Sequence, residues 1–218
     1  MITIVDYGAG NLRSISRSFE HLGLAAEVVD RPEAVERAEA VVLPGVGAAG
    51  AAMRFLKEKG LDDAVRSALQ RGIPFLGVCL GMQLLLGSHE EGEVAGLALV
   101  PGKVRRFPEA GLAVPQMGWN QVELLHESPL FEDIEPGAYF YFAHSYYAEP
   151  EDRAIVAGQT TYGLDYCTVI EAGNLWGAQF HPEKSSANGL RFLRNFAKVA
   201  GVRELASRKR SGPEAGVC

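Results

Sequence analysis

A chain of 218 residues, 47% apolar and 22% charged, is long enough for one sizeable hydrophobic core and lies near the upper size of a single domain. Its net charge of −6 argues against nucleic acid as a partner, and no apolar run approaches the ~20 residues of a membrane-spanning helix. Three cysteines, Cys79, Cys167 and Cys218, match neither a disulfide framework nor a metal-ligand spacing, and the apolar start Met1 to Val5 is too short for a signal peptide. A cytoplasmic setting, no metal and no cofactor are therefore expected.

Short apolar runs, Ile2 to Val5, Ala25 to Val29, Ala40 to Leu43 and Ile73 to Val78, alternate with helical stretches. The latter are Leu12 to Leu22, Pro32 to Ala38, and Ala48 to Leu69 with a break at Gly60. That is the βαβ rhythm of a parallel sheet. From Leu97 to Gln179 aromatic and β-branched runs with turn signals take over, among them the hairpin-like Ala172-Gly173-Asn174, so this half adds mostly strands. Leu190, Leu193, Phe196, Ala197 and Ala200 then recur at helical spacing. The fold class expected is α/β, a single-domain open sheet with a parallel core and added antiparallel strands over residues 1–202. Residues 203–218 form a polar tail carrying four bases and two acids.

Cys79 sits in Gly77-Val78-Cys79-Leu80-Gly81, between a strand-like run and a second apolar stretch, Met82 to Leu86, of helical length. A free cysteine is ordinarily one more small buried residue. Here glycines flank a strand-to-helix turn, as in a nucleophile elbow, where any side chain at Gly77 or Gly81 would collide as the chain reverses. The turn lifts the thiol over the carboxyl edge of the sheet, at a helix N-terminus whose N–H groups favour anionic sulfur.

A base is available far away in sequence. His181 ends the strand-like run Trp176 to Phe180, and Glu183 follows two positions later. If the chain stays extended through Pro182, the two side chains point the same way, and the carboxylate orients the imidazole towards a nucleophile. His21, His89 and His126 lie in polar surroundings and read as surface residues; His144, in Phe140 to Tyr146, is the rival base. The loops after the first and third strands, at Asp6-Tyr7 and Pro44-Gly45-Val46-Gly47, lie on the edge where open α/β sheets place their sites. The second is either a plain strand-ending turn or a source of N–H groups for a developing oxyanion.

The elbow Gly77 to Gln83 and the distal His181-Pro182-Glu183 resemble the two hallmark motifs of class I (triad) glutamine amidotransferases, which have a flavodoxin-like architecture. Asp6-Tyr7-Gly8-Ala9-Gly10-Asn11, Leu43 to Gly47, Pro115-Gln116-Met117-Gly118-Trp119-Asn120 and His144-Ser145-Tyr146 resemble, within that family, the glutaminase subunits of imidazole glycerol phosphate synthase. The likeness runs from Met1 to about Ala200. One departure is Gln116, where the family pattern has histidine; it reads as a change near a partner surface.

The resemblance implies that Cys79, His181 and Glu183 are catalytic and that Gly45, Val46, Gly47 and Leu80 form the oxyanion site. It further implies that Gln83, Glu91, Ser145 and Tyr146 hold glutamine, with the Gln83 amide one helical turn past the sulfur. The implied partner is a (β/α)8-barrel cyclase that receives ammonia, and Asn11, Trp119, Tyr141 and Lys184 are interface candidates because aromatic and amphipathic residues near a site suit a docking face. Trp119 and Tyr141 are equally compatible with the core. Two other readings stay open: a class I amidotransferase of pyridoxal phosphate, anthranilate or purine synthesis, and a non-catalytic module on the same fold. A γ-glutamyl peptidase would use the same elbow but no ammonia-receiving partner face.

Overall fold

The computed structural model describes residues 1–8, 11–109 and 111–203. Ala9, Gly10, Cys218 and nearly all of the expected tail lie outside them. Four apolar segments form the parallel half of the sheet: β1 (Ile2–Val5), β2 (Ala26–Val29), β3 (Ala40–Gly45) and β4 (Phe75–Cys79). Between them run α1 (Leu12–His21), α2 (Pro32–Glu36), α3 (Ala49–Glu58) and α4 (Leu61–Gln70). The expected break is real, because Gly60 takes φ 67°, a left-handed conformation that glycine reaches without strain.

After a single-turn α5 (Leu80–Gln83) come β5 (Leu86–His89), β6 (Val94–Ala95), β7 (Val100–Arg106), β8 (Gln116–Gln121) and β9 (Glu123–Leu124). Then follow β10 (Tyr139–His144), β11 (Tyr146–Pro150), β12 (Val156–Thr161), β13 (Asp165–Ala172), β14 (Leu175–Ala178) and α6 (Ser186–Val199). The main sheet runs β2-β1-β3-β4-β14-β13-β11-β7-β5-β6, with β12 and β9 off its path beside β13, while β8 and β10 form a separate antiparallel ribbon. β2, β1, β3, β4 and β14 are mutually parallel, and β13, β11 and β7 add antiparallel pairs. This is the expected parallel core with antiparallel additions.

Strand alternation sends Ile2, Ile4, Val42, Leu76 and Val78 to one face, where they meet Phe19 of α1 and Phe192 and Phe196 of α6. Val5, Val41, Leu43 and Phe75 go to the other, against Met53 and Leu56 of α3 and Val65 of α4. The sheet is thus covered on both sides, as a parallel core requires.

One helix departs from expectation. The apolar stretch Met82 to Leu86 does not continue as a helix: α5 stops at Gln83, and Leu86 enters β5, pairing with Val100 of β7. Leu84, Leu85 and Leu86 are buried in either conformation, and here the sheet claims Leu86. Leu80 through Gln83 therefore offer one turn of free N–H groups at the sulfur, rather than the end of a long helix dipole.

Candidate active site

β3, β4 and β14 are neighbours and parallel, with Gly45 paired to Cys79 and Val78 to Ala178. Their carboxyl ends therefore deliver three loops to one place: Gly45-Val46-Gly47, the Cys79 elbow, and the segment that reaches His181. Cys79 has φ 53° and ψ −110°, an uncommon conformation for a residue with a side chain. Both flanking glycines are required. A Cβ on Gly77 would lie 2.9 Å from the Gly81 carbonyl oxygen and from the Met82 backbone, and one on Gly81 would lie 1.8 Å from the Leu43 carbonyl oxygen.

His181 and Glu183 meet as expected, though not for the expected reason. The chain is extended only at His181; Pro182–Lys184 form a 3₁₀ turn, which folds Glu183 back so that its Oε1 lies 3.0 Å from His181 Nδ1. Both are buried. Burial opposes charge on the imidazole, but the adjoining Cys79 sulfur, which shares a hydrogen bond with it, and the Glu183 carboxylate prevail, raising His181 to about 10. The imidazole is accordingly charged at neutral pH, with one nitrogen towards sulfur and the other towards carboxylate.

His144, the rival, does a different job. It is buried, its Nδ1 donates to the Tyr146 carbonyl at 2.7 Å, and its Nε2 lies 3.3 Å from the Tyr166 hydroxyl. Burial lowers it to about 4, with the Tyr146 carbonyl opposing and His181 assisting. A histidine held neutral in the fold but free to charge when unfolded contributes stability fully present above its unfolded value of 6.5 and lost as pH falls towards about 4. Denaturant unfolding between pH 7 and 4.5 should therefore show a shallower acid loss in His144→Gln than in the parent, by about 3 kcal/mol at the most acidic limit.

Gln116 corrects an expectation. It is 3% exposed, not at a surface, and pairs with the Tyr166 hydroxyl at 2.8 Å, within the aromatic cluster beneath Ser145 and Tyr146. Its strand neighbour Met117 points outward instead.

A cleft of about 190 Å³ opens over the sulfur, walled by Val46, Gly47 and Leu80 on one side and Ala143, Ser145 and Tyr146 on the other, with Gln83 and Glu91 lining it. That suits an amino acid better than larger ligands, whose sites run ~300–1,000 Å³. Gly47 has φ 91°, open to glycine, and Tyr7, buried under this loop, donates its hydroxyl to the Pro44 carbonyl at 2.8 Å. Burial, then the proximity of Cys79 and Asp6, pushes the Tyr7 hydroxyl well above its ordinary range, so it stays a donor. Glu91 accepts the Ala49 N–H at 2.7 Å, capping α3, whose own N-cap residue Ala48 has no capping side chain. Gln83 lines the cleft, yet both hydrogens of its amide are used inside the protein, by the Tyr146 carbonyl at 2.8 Å and Gln179 Oε1 at 2.9 Å.

His89, expected at the surface, is 2% exposed and lies 3.1 Å from Gln83 Oε1. Sequence reasoning also passed over Gln179, whose Nε2 lies 3.7 Å from the Cys79 sulfur. The available signal is its place two residues before His181, just past the end of β14 at Ala178. A larger groove of about 650 Å³, bordered by Asn120, Leu124, His126 and Gln159, contains no cysteine.

A profile for glutamine amidotransferase class-I matches residues 3–200. The chain belongs to the class-I glutamine amidotransferase family. It is 51% identical over 199 residues to the imidazole glycerol phosphate synthase subunit HisH of Moorella thermoacetica, covering 91% of this chain and 94% of that protein. The HisH of Herpetosiphon aurantiacus is 50% identical over 202 residues, with 92% and 95% covered. A crystal structure of a glutamine amidotransferase shares the fold with a TM-score of 0.74 at 21% identity, over 93% of this chain and 100% of that one.

Outside the cleft, the β8–β10 ribbon carries two of the four interface candidates, Trp119 and Tyr141. Trp119 is 50% exposed, with Met117 at 67% and Tyr139 at 52%. Trp119 stands edge-on to Tyr141 at 6.1 Å, and the Lys184 ammonium lies 5.6 Å from the Tyr141 ring centre. Asn11, at the start of α1, accepts a hydrogen bond from Ser14. The ribbon is tied to the catalytic candidates, since the Tyr141 carbonyl accepts the His181 N–H at 2.9 Å.

Proposed function

We propose that this chain is the glutaminase subunit of an imidazole glycerol phosphate synthase, releasing ammonia from glutamine for use by a cyclase subunit. The observation that carries the chemistry is Cys79, held at φ 53°, beside an imidazole that Glu183 grips at 3.0 Å. Nearly full-length identity to HisH proteins supports the choice of acceptor pathway.

The Cys79 thiolate attacks the side-chain carboxamide carbon of glutamine, and negative charge moves to the carboxamide oxygen. Leu80 N–H and an N–H from Gly45-Val46-Gly47 receive that oxyanion. His181 donates its proton to the amide nitrogen, the C–N bond breaks, and ammonia departs. His181, now neutral, takes a proton from water, which attacks the thioester; the C–S bond breaks, glutamate leaves and the thiolate returns. Ser145 and Tyr146 backbone groups and Glu91 face the amino-acid end of the substrate in this reading. Gln83 reaches substrate only by exchanging one of its internal hydrogen bonds.

Because free ammonia is protonated in water, a receiving subunit must dock over the cleft. We assign it as a (β/α)8-barrel cyclase forming imidazole glycerol phosphate and aminoimidazole carboxamide ribotide, seated on Asn11, Trp119, Tyr141 and Lys184. Residues 1–202 make up the amidotransferase domain, and 203–218 lie beyond it.

Glu183→Gln keeps the shape of the side chain but removes the charge that orients and charges the imidazole. Steady-state glutamate release should fall by roughly 10²–10⁴ in kcat with little change in KM. The acceptor assignment is tested by glutamate release with and without the cyclase carrying its nucleotide ligand. Strong stimulation, weakened by Trp119→Ala, is expected; a glutaminase indifferent to that partner would send the assignment to another acceptor synthase.

A further inference from the structure

A buried chain of hydrogen bonds ends on the Cys79 sulfur, and its direction is fixed by two backbone groups that have no choice of role, one at His89 and one at Gln83. The Glu91 N–H can only donate, and it meets His89 Nδ1 at 3.0 Å. His89 therefore carries its proton on Nε2 and donates it to Gln83 Oε1 at 3.1 Å. From the other direction, the Tyr146 carbonyl can only accept, which requires Gln83 Nε2 on that side, as found at 2.8 Å. Both backbone groups demand the same orientation of the Gln83 amide. Its remaining hydrogen then requires the oxygen of Gln179, at 2.9 Å, which turns the Gln179 NH₂ towards sulfur. Reversing either amide would place donor against donor or oxygen against oxygen in a fully buried setting.

We propose that Gln179 is a positioning residue for the nucleophile, a fixed N–H donor that holds the Cys79 sulfur and favours its anionic form. Sulfur must be an anion twice: when it attacks the carboxamide and when it leaves the thioester. His181 supplies a proton to the reacting nitrogen in between and then turns to water, so it is occupied while the sulfur departs. Gln179 never titrates, and its N–H remains available throughout both steps. Gln179 and His181 both follow the end of β14 at Ala178, and the side chains of both hydrogen-bond the Cys79 sulfur. The distance of 3.7 Å suits a donor to sulfur, a larger atom than oxygen. The same chain of bonds ties this donor to Tyr146 of the cleft wall and, through the Glu91 carboxylate on the Ala49 N–H, to the helix that follows Gly47.

The test is the pH dependence of Cys79 alkylation by iodoacetamide, read peptide by peptide by mass spectrometry so that Cys167 and Cys218 do not contribute. Gln179→Glu keeps the oxygen that accepts from Gln83 and replaces only the donor at sulfur; Gln179→Met removes both. The midpoint of alkylation should move up by ~1 pH unit in Gln179→Met, as expected for losing one hydrogen bond to an anion, and at least as far in Gln179→Glu. In glutaminase assays kcat should fall roughly tenfold with KM little changed. Folding is checked by circular dichroism. If Gln179→Met does not fold, the Gln179→Glu midpoint decides alone. An unmoved midpoint in a folded variant overturns the proposal. The proposal rests on Cys79 being the nucleophile, but the two fail differently: a parent protein without glutaminase activity sinks that reading, whereas an unmoved midpoint in an active parent sinks only the role of Gln179.

Discussion

Cys79→Ala should lower glutamine hydrolysis by roughly 10⁴–10⁶-fold while leaving the protein folded. Cys79 is the cleft nucleophile that shares a hydrogen bond with the His181 imidazole, and the carboxylate of Glu91 is engaged with the Ala49 N–H. The loss should appear almost entirely in kcat, because the cleft walls are unchanged. A second comparison isolates the backbone strain. Residues held in sparsely populated conformations cost about 1–3 kcal/mol, and alanine retains the Cβ responsible. Cys79→Gly should therefore resist denaturant better than Cys79→Ala, although it is equally inactive. Equal midpoints for the two would mean that φ 53° is not strained here, and that the elbow holds its shape without cost.

Gly81→Ala is expected to be the most destructive single methyl group in the molecule. The added carbon would fall 1.8 Å from the Leu43 carbonyl oxygen and 2.8 Å from its carbon. Leu43 cannot retreat, because β3 is hydrogen-bonded between β1 and β4 with Leu43 opposite Gly77. Nor can α5 move away without carrying Leu80 and the elbow with it, and Leu80 and Met82 are buried on that side of the sheet. A clash between two fixed backbones belongs with the exceptional substitutions that cost more than about 4–5 kcal/mol, a large share of the ~5–15 kcal/mol of a typical domain. Loss of soluble folded protein, or a collapse of the unfolding midpoint, is the outcome to look for. A folded Gly81→Ala with unchanged midpoint would mean that the helix stands farther from β3 than described.

Those two glycines were legible from sequence because the steric demand of a strand-to-helix reversal is local. The first four strands and the glycine break at Gly60 were legible for the same reason: β-branched runs end at turn residues, and helical spacing falters at a residue that adopts positive φ. Longer-range decisions were not. Met82 to Leu86 is five residues, apolar but for Gln83, too short for periodicity to separate a buried helix from a buried strand, and the pairing of Leu86 with β7 resolves it. His89 stands beside Glu90 and Glu91 and reads as surface, yet it is buried against the Tyr146 ring, 4.9 Å away, a neighbour from a distant strand. Gln116 was misread although period-two alternation would have placed it opposite the exposed Met117 on the ribbon. For Glu183 the spacing predicts the pairing with His181 through an extended chain, whereas in the structure proline at the start of a 3₁₀ turn brings the carboxylate back. Trp119 was undecided between core and surface, and its exposure assigns it to the surface, where it and Met117 rim the ribbon.

The most direct test of the central claim is covalent labelling with a glutamine analogue that carries an electrophilic diazoketone in place of the carboxamide, followed by peptide mass spectrometry in the presence and absence of the cyclase. The account predicts one adduct, on the peptide containing Cys79, formed faster with the cyclase, suppressed by excess glutamine and absent from Cys79→Ala. Labelling at Cys167 or elsewhere with Cys79 unmodified, in a preparation that hydrolyses glutamine, would contradict it and place the chemistry at another group.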